Sequence, residues 1–340
     1  MRIVGVTGGV DTHADAHVAA AIDGNGGLLG IESFPATESG YEGLLEWLAG
    51  HGELIRVGVE GTGSWGVGLS RFLSSQDIEV VEVDRPDRQT RRKVGKSDPT
   101  DAVSAARAAL SGAATVTPKS RDGRVEEMRV LLVARRSARE QRSQTLNQLR
   151  HLVFCAPEPI RVRFKDRPKK GLVTEAGSMR PRPGADPIVY RTSLVIRSLA
   201  RRIQSLDAEK KTIDETLQSL IEQTAPSLLN LHGVGIDTAA SLLVAAGDNP
   251  DRLHNERSWA HLCGTTPIPA SSGKTTRHRL NRGGDRQANA ALHRIVLTRM
   301  SSHPETRAYV MRRRAEGLSN PEIMRCLKRY VARQTFKHIT

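Results

Sequence analysis

The stretch IVGVTGGVDTHADAHVAAAIDGNGGLLGIESF (residues 3–34) decides the fold of the N-terminal part of this chain. Residues 3–10 form an apolar run typical of a buried strand, and residues 17–23 and 28–34 are two further strand-like runs on either side of GNGG at 24–27. Glycine and asparagine between two such runs indicate a hairpin. The stretch therefore predicts three antiparallel strands in succession.

The following segments alternate between helix and strand. Four apolar residues between 41 and 48 fall at helical spacing, strands are predicted at 55–60 and 78–84, a helix at 65–73, and the helix-like stretch DPTDAVSAARAAL begins at residue 98. The resulting order, β-β-β-α-β-α-β-α, is that of the ribonuclease H-like α/β fold. By analogy with that fold, acids on the first and fourth strands and on a late helix are expected to share one site.

Four carboxylates lie where this fold would bring them together. Asp11 ends the first apolar run, Glu60 ends the run IRVGVE, and Asp98 and Asp101 stand at the start of the late helix. Mg²⁺ and Mn²⁺ prefer oxygen ligands, and two such ions stabilise both the attacking and the leaving oxygen of a displacement at phosphorus. We therefore expect these four acids to bind one or two divalent ions and to be catalytic, although each alone would be an ordinary helix cap or turn residue.

The charge of the 340-residue chain is unevenly distributed. Its formal net charge is +14, yet residues 1–80 hold 3 Lys or Arg against 11 Asp or Glu, so residues 81–340 hold 48 basic and 26 acidic side chains. A basic excess indicates a polyanionic partner. Only 4% of the residues are aromatic, so recognition is expected to depend on phosphates and duplex shape more than on base stacking.

Neither export nor a disulfide framework is expected. The N-terminus lacks a signal-peptide pattern, and no apolar run approaches the roughly 18 residues of a membrane span, so a cytoplasmic location is predicted. Cys155, Cys263 and Cys326 are widely spaced, which favours reduced, structural thiols over a zinc site.

Residues 116–226 are predicted to be a helical stalk. One long helix runs from Arg124 to Val153, a basic loop occupies 156–186, and a second long helix runs from about Val189 to Gln223. Apolar residues of the second helix keep the 3-4 alternation of a coiled coil, with Lys210 at the one polar position: Ile203, Leu206, Ile213, Leu217 and Leu220. The stalk would pack on itself or on a second subunit, and the sequence leaves both open.

The last third, from residue 227, contains two patterns suited to nucleic acid. Gly233 and Gly235 lie between two apolar helical stretches, as in a helix-hairpin-helix, whose glycine turn brings backbone amides close to a phosphate. A plain turn between packed helices is the alternative. Further on, Ser271 and Ser272 precede Gly273 in a predicted loop, and a hydroxyl beside cations suits a loop that binds or attacks phosphate.

Basic side chains accompany both ends of the candidate machinery. Near the loop they are Lys274, Arg277, Arg279 and Arg282, and just before the late helix they are Arg91, Arg92, Lys93 and Lys96. We expect them to contact phosphates, with a solvated basic face as the alternative. The C-terminal segment, residues 321–339, is predicted to be a basic amphipathic helix that closes its domain, with nucleic-acid binding as the alternative.

Together these motifs resemble a known family. VDTHAD (10–15), VEGTGSWG (59–66), KSDPTDA (96–102), LHGVGIDTAASLL (231–243), WAHLCGTTPIPASSGKT (259–275) and NRGGDR (281–286) are similar, in order and over nearly the whole chain, to the DEDD transposases of bacterial insertion sequences, the IS one-ten group. The resemblance implies a DNA recombinase with a Holliday-junction-resolvase-like N-terminal domain (1–115), a coiled-coil region (116–226) and a mostly helical C-terminal transposase domain (227–340).

The resemblance also implies roles for single residues and partners. Carried over by motif, Asp11, Glu60, Asp98 and Asp101 would bind Mg²⁺, with Mn²⁺ as a substitute, and Ser272 would attack DNA to form a transient phosphoserine link, with Ser271 the neighbouring alternative. The implied partners are DNA at the element ends and target, a structured guide RNA, and further copies of the chain in a homodimer or homotetramer. Two other functions stay open: a structure-selective nuclease or junction resolvase that cuts with water, and an inactive nucleic-acid-binding protein.

Overall fold

A computed structural model describes residues 5–83, 97–274 and 278–339 of the chain. The chain forms two compact units: a first unit of Met1–Gly123 with Ala246–His254, and a second unit of Arg124–Ala245 with Asn255–Thr340. The division into three domains stays a prediction. No helix in the described parts is both long and apolar enough to cross a membrane.

The first unit is built on a five-stranded mixed sheet. Its strands are β1 (Gly5–Thr12), β2 (Ala16–Asp23), β3 (Leu28–Pro35), β4 (Glu53–Glu60) and β5 (Val80–Val83), in the spatial order β3-β2-β1-β4-β5. The first three pair antiparallel, whereas β1 pairs parallel with β4 and β4 with β5. The predicted α/β character of the N-terminal part is thereby confirmed.

A tight turn joins β2 to β3, as the GNGG signal predicts. The side-chain Oδ1 of Asp23 accepts hydrogen bonds from the backbone N–H of Asn25 and of Gly27, both at 2.8 Å. Gly26 has φ +84°, a conformation open to glycine at little cost. The turn fixes the register in which β2 pairs with β3.

Helices cover both faces of this sheet. On one face, α1 (Glu38–Gly50) and α2 (Val67–Ser75) bury leucines against the valines of β1 and β4. On the other face lies α3 (Asp98–Leu110), whose alanines pack beside Val81 and Val83 of β5. The short segment Ala246–His254 completes the unit, because the side chain of Asn249 donates to the carbonyl of Pro118 (2.9 Å) and accepts from the N–H of Ser120 (3.2 Å).

Two long helices, α4 (Arg124–Phe154) and α7 (Pro187–Thr224), pack along one another in the second unit. The five apolar residues predicted to form the seam of the second long helix are all buried. At the polar position, Lys210 pairs with Asp214, which also accepts from Arg135 Nε of α4 at 2.5 Å. Burial alone would raise the pKa of Asp214, but these hydrogen bonds outweigh it and hold the pKa below its ordinary value.

The prediction of a basic loop over 156–186 is wrong. The segment contains α5 (Glu158–Phe164) and α6 (Lys169–Gly177). Their apolar side chains Ile160, Phe164, Leu172 and Val173 are buried in one core with the long helices. This burial stabilises the two helices, although the basic composition of the segment does not indicate them. A proline precedes each helix, a place where its missing N–H costs no hydrogen bond.

The rest of the second unit is mostly helical. Its elements are α8 (Pro226–Leu229), α9 (Ile236–Ala246), α10 (Glu256–Leu262), the two-residue strands β6 (Ile268–Pro269) and β7 (His278–Arg279), α11 (Arg286–Ser302), α12 (Pro304–Ala315) and α13 (Asn320–Phe336). Trp259 of α10 is fully buried, and its Nε1–H donates to Oγ1 of Thr335 at 3.2 Å. The C-terminal helix α13 thus closes this part of the core with one face, as predicted.

Candidate functional site

Two glycines allow α3 to contact the sheet backbone. They are Gly9 in β1 and Gly58 in the neighbouring strand β4. A Cβ on Gly9 would lie 2.1 Å from the backbone N of Ala106 and 2.3 Å from the carbonyl O of Ala102, and one on Gly58 would lie 2.7 Å from the O of Ala105. Any larger residue would push the helix away. The close approach therefore depends on glycine in the strands and alanine in the helix.

This packing places all four predicted acids at one edge of the sheet. Asp11 and Glu60 each follow one of the two glycines by two residues, and alternate side chains of a strand share a face, so both are on the side of α3. Asp98 and Asp101 lie one turn before two of the contacting alanines, on the same side of the helix. Both strands end at this edge, since β1 and β4 are parallel neighbours.

The start of α3 is set by local hydrogen bonding. Ser97 caps the helix, since its Oγ accepts from the backbone N–H of Thr100 at 3.4 Å, and Pro99 occupies the first turn. Proline is favoured there because the first N–H groups of a helix have no intrahelical partner. The sequence SDPTD (97–101) thus begins the helix and places its two acids, Asp98 and Asp101, in the first turn.

A histidine joins two of the acids. Nε2 of His13 lies 3.2 Å from Oδ2 of Asp11 and 3.4 Å from Oδ1 of Asp98. One ligand atom from each of the three residues lies within 4.8 Å of the others. His13 belongs to the motif VDTHAD but is absent from the predicted site, and the signal for it is its spacing of two residues from Asp11.

Burial and like charge act on these carboxyl groups. Asp11 and Asp101 are only 6% and 3% exposed, whereas the side chain of Asp98 is 49% exposed. Burial is the main cause that raises the pKa of Asp11; His13 opposes it, and the charges of Asp101 and Asp98 raise it further. Acids crowded in this way favour a bound cation, which removes the mutual repulsion.

The donor atoms fit a divalent cation. Carboxylate oxygens are the ligands of Mg²⁺ and Mn²⁺, and the imidazole nitrogen adds a donor better suited to a transition metal. Asp11, His13 and Asp98 would contact such an ion. The predicted ligands Glu60 and Asp101 are not part of this group of ligand atoms. Glu60 is the last residue of β4, and Oγ1 of Thr12 donates to the backbone carbonyl of Glu60 at 2.8 Å, which ties the two strand ends together.

The predicted nucleophile lies on a hairpin of the second unit. β6 and β7 pair antiparallel, and Ser271 and Ser272 are exposed in the segment that follows β6. Gly273 has φ +55°, a left-handed conformation that favours glycine over other residues. The glycine after Ser272 therefore supports a sharp change of chain direction beside an exposed hydroxyl.

The predicted phosphate-contacting cations are only partly described. Lys274, Arg279 and Arg282 are exposed on or beside the hairpin. Arg91, Arg92, Lys93, Lys96 and Arg277 lie outside the described residues. The motif NRGGDR also has a structural role, because the side chain of Asn281 donates to the carbonyl of His261 at 3.3 Å and Asp285 caps α11.

The glycine turn before α9 is held by internal contacts. Gly233 has φ +81°, and a Cβ there would lie 3.1 Å from the carbonyl O of Ile295 in α11. The N–H of Gly235 donates to Oγ1 of Thr238 at 2.9 Å. These contacts suit the turn between packed helices that the sequence leaves as an alternative, and phosphate binding by the two glycines stays a prediction.

Comparison with known proteins connects both units to one family. A transposase model for the DEDD proteins of IS110 matches residues 8–154, and a model described as "Transposase IS116/IS110/IS902 family" matches residues 225–311. The first match includes Asp11, Glu60, Asp98 and Asp101, and the second includes Ser271 and Ser272.

Two curated proteins are similar to part of the chain. The Insertion element IS110 uncharacterized 43.6 kDa protein of Streptomyces coelicolor is 30% identical over 142 residues, which are 40% of this chain and 34% of that protein. The Insertion element IS900 uncharacterized 42 kDa protein of Mycobacterium paratuberculosis is 25% identical over 138 residues, which are 40% of this chain and 35% of that protein. The chain thus spans about a third of the length of either relative.

Proposed function

The chain belongs to the IS110 family of transposases, and from that premise we propose that it cuts and rejoins DNA strands at the ends of an insertion element. In this proposal the acids of the first unit hold a divalent metal ion, and Ser272 of the second unit is the nucleophile. The observation that carries it is the cluster of Asp11, His13 and Asp98, whose ligand atoms lie within 4.8 Å of one another.

The fold supports a phosphoryl-transfer enzyme of this class. We assign the first unit to the ribonuclease H-like group, because the sheet order β3-β2-β1-β4-β5 puts the ends of β1 and β4 beside α3. We assign α4 and α7 to a coiled-coil stalk, because the apolar residues of α7 keep their 3-4 spacing and are buried. A helix-hairpin-helix role for the Gly233 turn belongs to the same proposal.

The chemistry follows from what each group supplies. A bound Mg²⁺ or Mn²⁺ ion would polarise the scissile phosphate and stabilise charge on the oxygens that enter and leave. Oγ of Ser272 forms a bond to phosphorus and gives up its proton, while the bond from phosphorus to a DNA oxygen breaks and that oxygen takes up a proton. A hydroxyl of the partner strand then displaces the serine and restores its O–H group. One ester bond is exchanged for another at each step, so the reaction needs no ATP.

The partners we propose are polyanions and further copies of the chain. The basic excess of residues 81–340 suits the DNA of the element ends and target and a structured guide RNA, because neutralised phosphates supply most of such affinity. A homodimer or homotetramer would bring together two DNA ends for exchange. A nuclease that cuts with water is the competing function, and it would use the same acids.

A covalent-trapping assay tests the nucleophile. The protein with its co-purified RNA is incubated with Mg²⁺ and labelled DNA that carries the element end, and the products are separated on a denaturing gel. We expect a protein–DNA adduct with wild type and Ser271→Ala and none with Ser272→Ala or Asp11→Ala. Cleavage without an adduct in both wild type and Ser272→Ala would instead establish a nuclease that uses water.

A further inference from the structure

A cleft lies in the second unit between the base of the β6–β7 hairpin and one side of α13. One wall is formed by residues 264–267 and 278–281, and the other by α13 from Glu322 to Arg333. The cleft has a volume of about 720 Å³, within the roughly 300–1,000 Å³ range typical of sites for small organic groups. It is far too small for a duplex, so a candidate occupant is a single small unit.

Positive charge predominates on the walls. Five cations line the cleft, namely Arg279, Arg325, Lys328, Arg329 and Arg333, against the one carboxylate Glu322. That carboxylate caps its own helix, where it accepts from the N–H of Ser319 at 2.8 Å. The walls therefore present a net attraction for an anion.

The cations differ in their partners, and the charge of Arg325 also acts on Glu322: hydrogen bonds from Ser319 and then this charge lower the pKa of that carboxyl group. Arg329 and Arg333 pair with Glu256 of α10, and Nζ of Lys328 donates to Oδ1 of Asn289 at 2.7 Å. In contrast, the side chains of Arg279 and Arg325 make no hydrogen bond or ion pair within the described parts of the chain.

Crowding of the cations points the same way. The pKa of Lys328 is lowered, first by its burial and then by the charge of Arg325. A positive group whose charged form is disfavoured in this way is stabilised when an anion binds beside it. The guanidinium group suits phosphate in particular, because its fork of N–H donors matches two phosphate oxygens.

An open aromatic ring stands among these charges. Tyr330 lines the cleft and is 52% exposed, and it makes an edge contact with Tyr309, with ring centroids 5.8 Å apart. Leu280, on the other wall, is 54% exposed. An accessible ring beside phosphate-binding cations is the combination with which proteins hold unpaired nucleotides.

We propose that this cleft binds one unpaired nucleotide of a nucleic-acid strand, whose phosphate is held by Arg279 and Arg325 and whose base stacks on Tyr330. The inference rests on the proposed function only in that nucleic acid is the partner. The proposal gives one side of α13 a binding role in addition to the predicted closing of the domain. It also adds one site for base stacking to a chain in which only 4% of the residues are aromatic.

The test uses the full-length protein in EDTA with single-stranded DNA of about 12 nucleotides that carries one 2-aminopurine, whose fluorescence falls when it stacks. Wild type is compared with Tyr330→Ala, Tyr330→Phe and Arg325→Gln. Arg307→Gln is the matched control, because it removes the same charge from an exposed position of α12 that is not part of the cleft. Circular dichroism and thermal melting establish that each variant is folded.

We expect wild type and Tyr330→Phe to quench the fluorescence and Tyr330→Ala to lose the quenching and roughly tenfold in affinity. Arg325→Gln should weaken binding and reduce the slope of log K against log salt by about 0.7, whereas Arg307→Gln should match wild type. Quenching that persists in Tyr330→Ala, or equal effects of the two arginine variants, would overturn the proposal. Equal binding of a blunt duplex would also overturn it.

An RNA strand of the same sequence identifies the source of the nucleotide. Tighter binding and stronger quenching with either DNA or RNA supports the site and assigns its strand. EDTA prevents metal-dependent cleavage, so the fluorescence assay measures binding alone. A failure of this binding would therefore not contradict an adduct in the covalent-trapping assay, and a missing adduct would not contradict this binding.

Discussion

Gly9 of β1 lies directly against Ala106 of α3, so closely that a Cβ on Gly9 would be 2.1 Å from the Ala106 backbone nitrogen. No side-chain rearrangement can relieve such an overlap, because the neighbouring atoms belong to the helix backbone. Together with the contact between Gly58 and Ala105, this contact sets the distance between the strand that carries Asp11 and the helix that begins with Asp98.

Gly9→Ala should therefore destabilise the protein by about 3 kcal/mol, the upper part of the range for an overpacked core, and should weaken Mn²⁺ binding because α3 must shift. Urea unfolding and calorimetric titration measure the two effects. Gly24→Ala is the matched control, since a Cβ at Gly24 meets nothing within 4 Å. A Gly9→Ala protein as stable as Gly24→Ala would contradict the close contact.

His13 is expected to be a metal ligand, because its Nε2 lies near both Asp11 and Asp98. Bound Mn²⁺ should show a ¹⁴N coupling in pulsed electron paramagnetic resonance that is lost in His13→Ala, and the variant should bind Mn²⁺ more weakly by at least about tenfold. His151→Ala, a change at an exposed histidine of the second unit, should keep both properties. A coupling that survives in His13→Ala would assign the nitrogen to another residue.

Asp11→Asn should raise the thermal midpoint of the metal-free protein at neutral pH. A carboxyl group whose pKa is higher in the folded chain than in the unfolded chain stabilises the fold at low pH and loses that contribution as pH rises through the folded pKa. The advantage of Asn should therefore vanish below the ordinary pKa of an aspartate. Mn²⁺ should raise the midpoint of wild type but hardly that of Asp11→Asn.

The same melting series on Asp15→Asn provides the control, because Asp15 is an exposed acid two residues beyond His13. We expect it to follow wild type at every pH, with and without Mn²⁺. An Asp11→Asn protein that melts at a lower temperature than wild type, at neutral pH and without metal, would contradict the inference that the buried negative charge of Asp11 destabilises the metal-free fold.

Arg135→Ala should destabilise the second unit by about 3 kcal/mol, which is typical for the loss of one partner of a buried ion pair. Arg135 has a side chain only 12% exposed, and it bonds Asp214 of α7 at 2.5 Å and Asp237 of α9 at 2.7 Å. Arg139→Ala, a change one turn further on at an exposed arginine, should cost little. Equal urea midpoints for the two variants would rule out a bridging role for Arg135.

The strands and the acids were predictable because their signals are local. Apolar runs of strand length end at Asp11 and at Glu60, and a capped helix start places Asp98 and Asp101 in one turn. Each of these features is contained within about ten residues. Their convergence follows from the order of the elements, which the GNGG turn and the alternating runs already indicate.

The features that could not be predicted depend on distant partners. Gly9 has the same appearance as any glycine in a strand until Ala102 and Ala106 are known to lie above it. Likewise, Ile160 and Leu172 occur among so many basic residues and prolines that only their burial against the long helices identifies them as core residues. His13 gains its role only when Asp98, which is far along the chain, comes within 3.4 Å of it.

The return of residues 246–254 to the first unit has a consequence for synthesis on the ribosome. Asn249 bonds to Pro118 and Ser120, which precede it by 131 and 129 positions, so the first unit stays incomplete while most of the long helices are being made. At roughly 5–20 residues per second, this delay is about 10 s. For that time the nascent first unit lacks the two hydrogen bonds of Asn249, and a gene fragment that ends at residue 123 would encode the unit without its last segment.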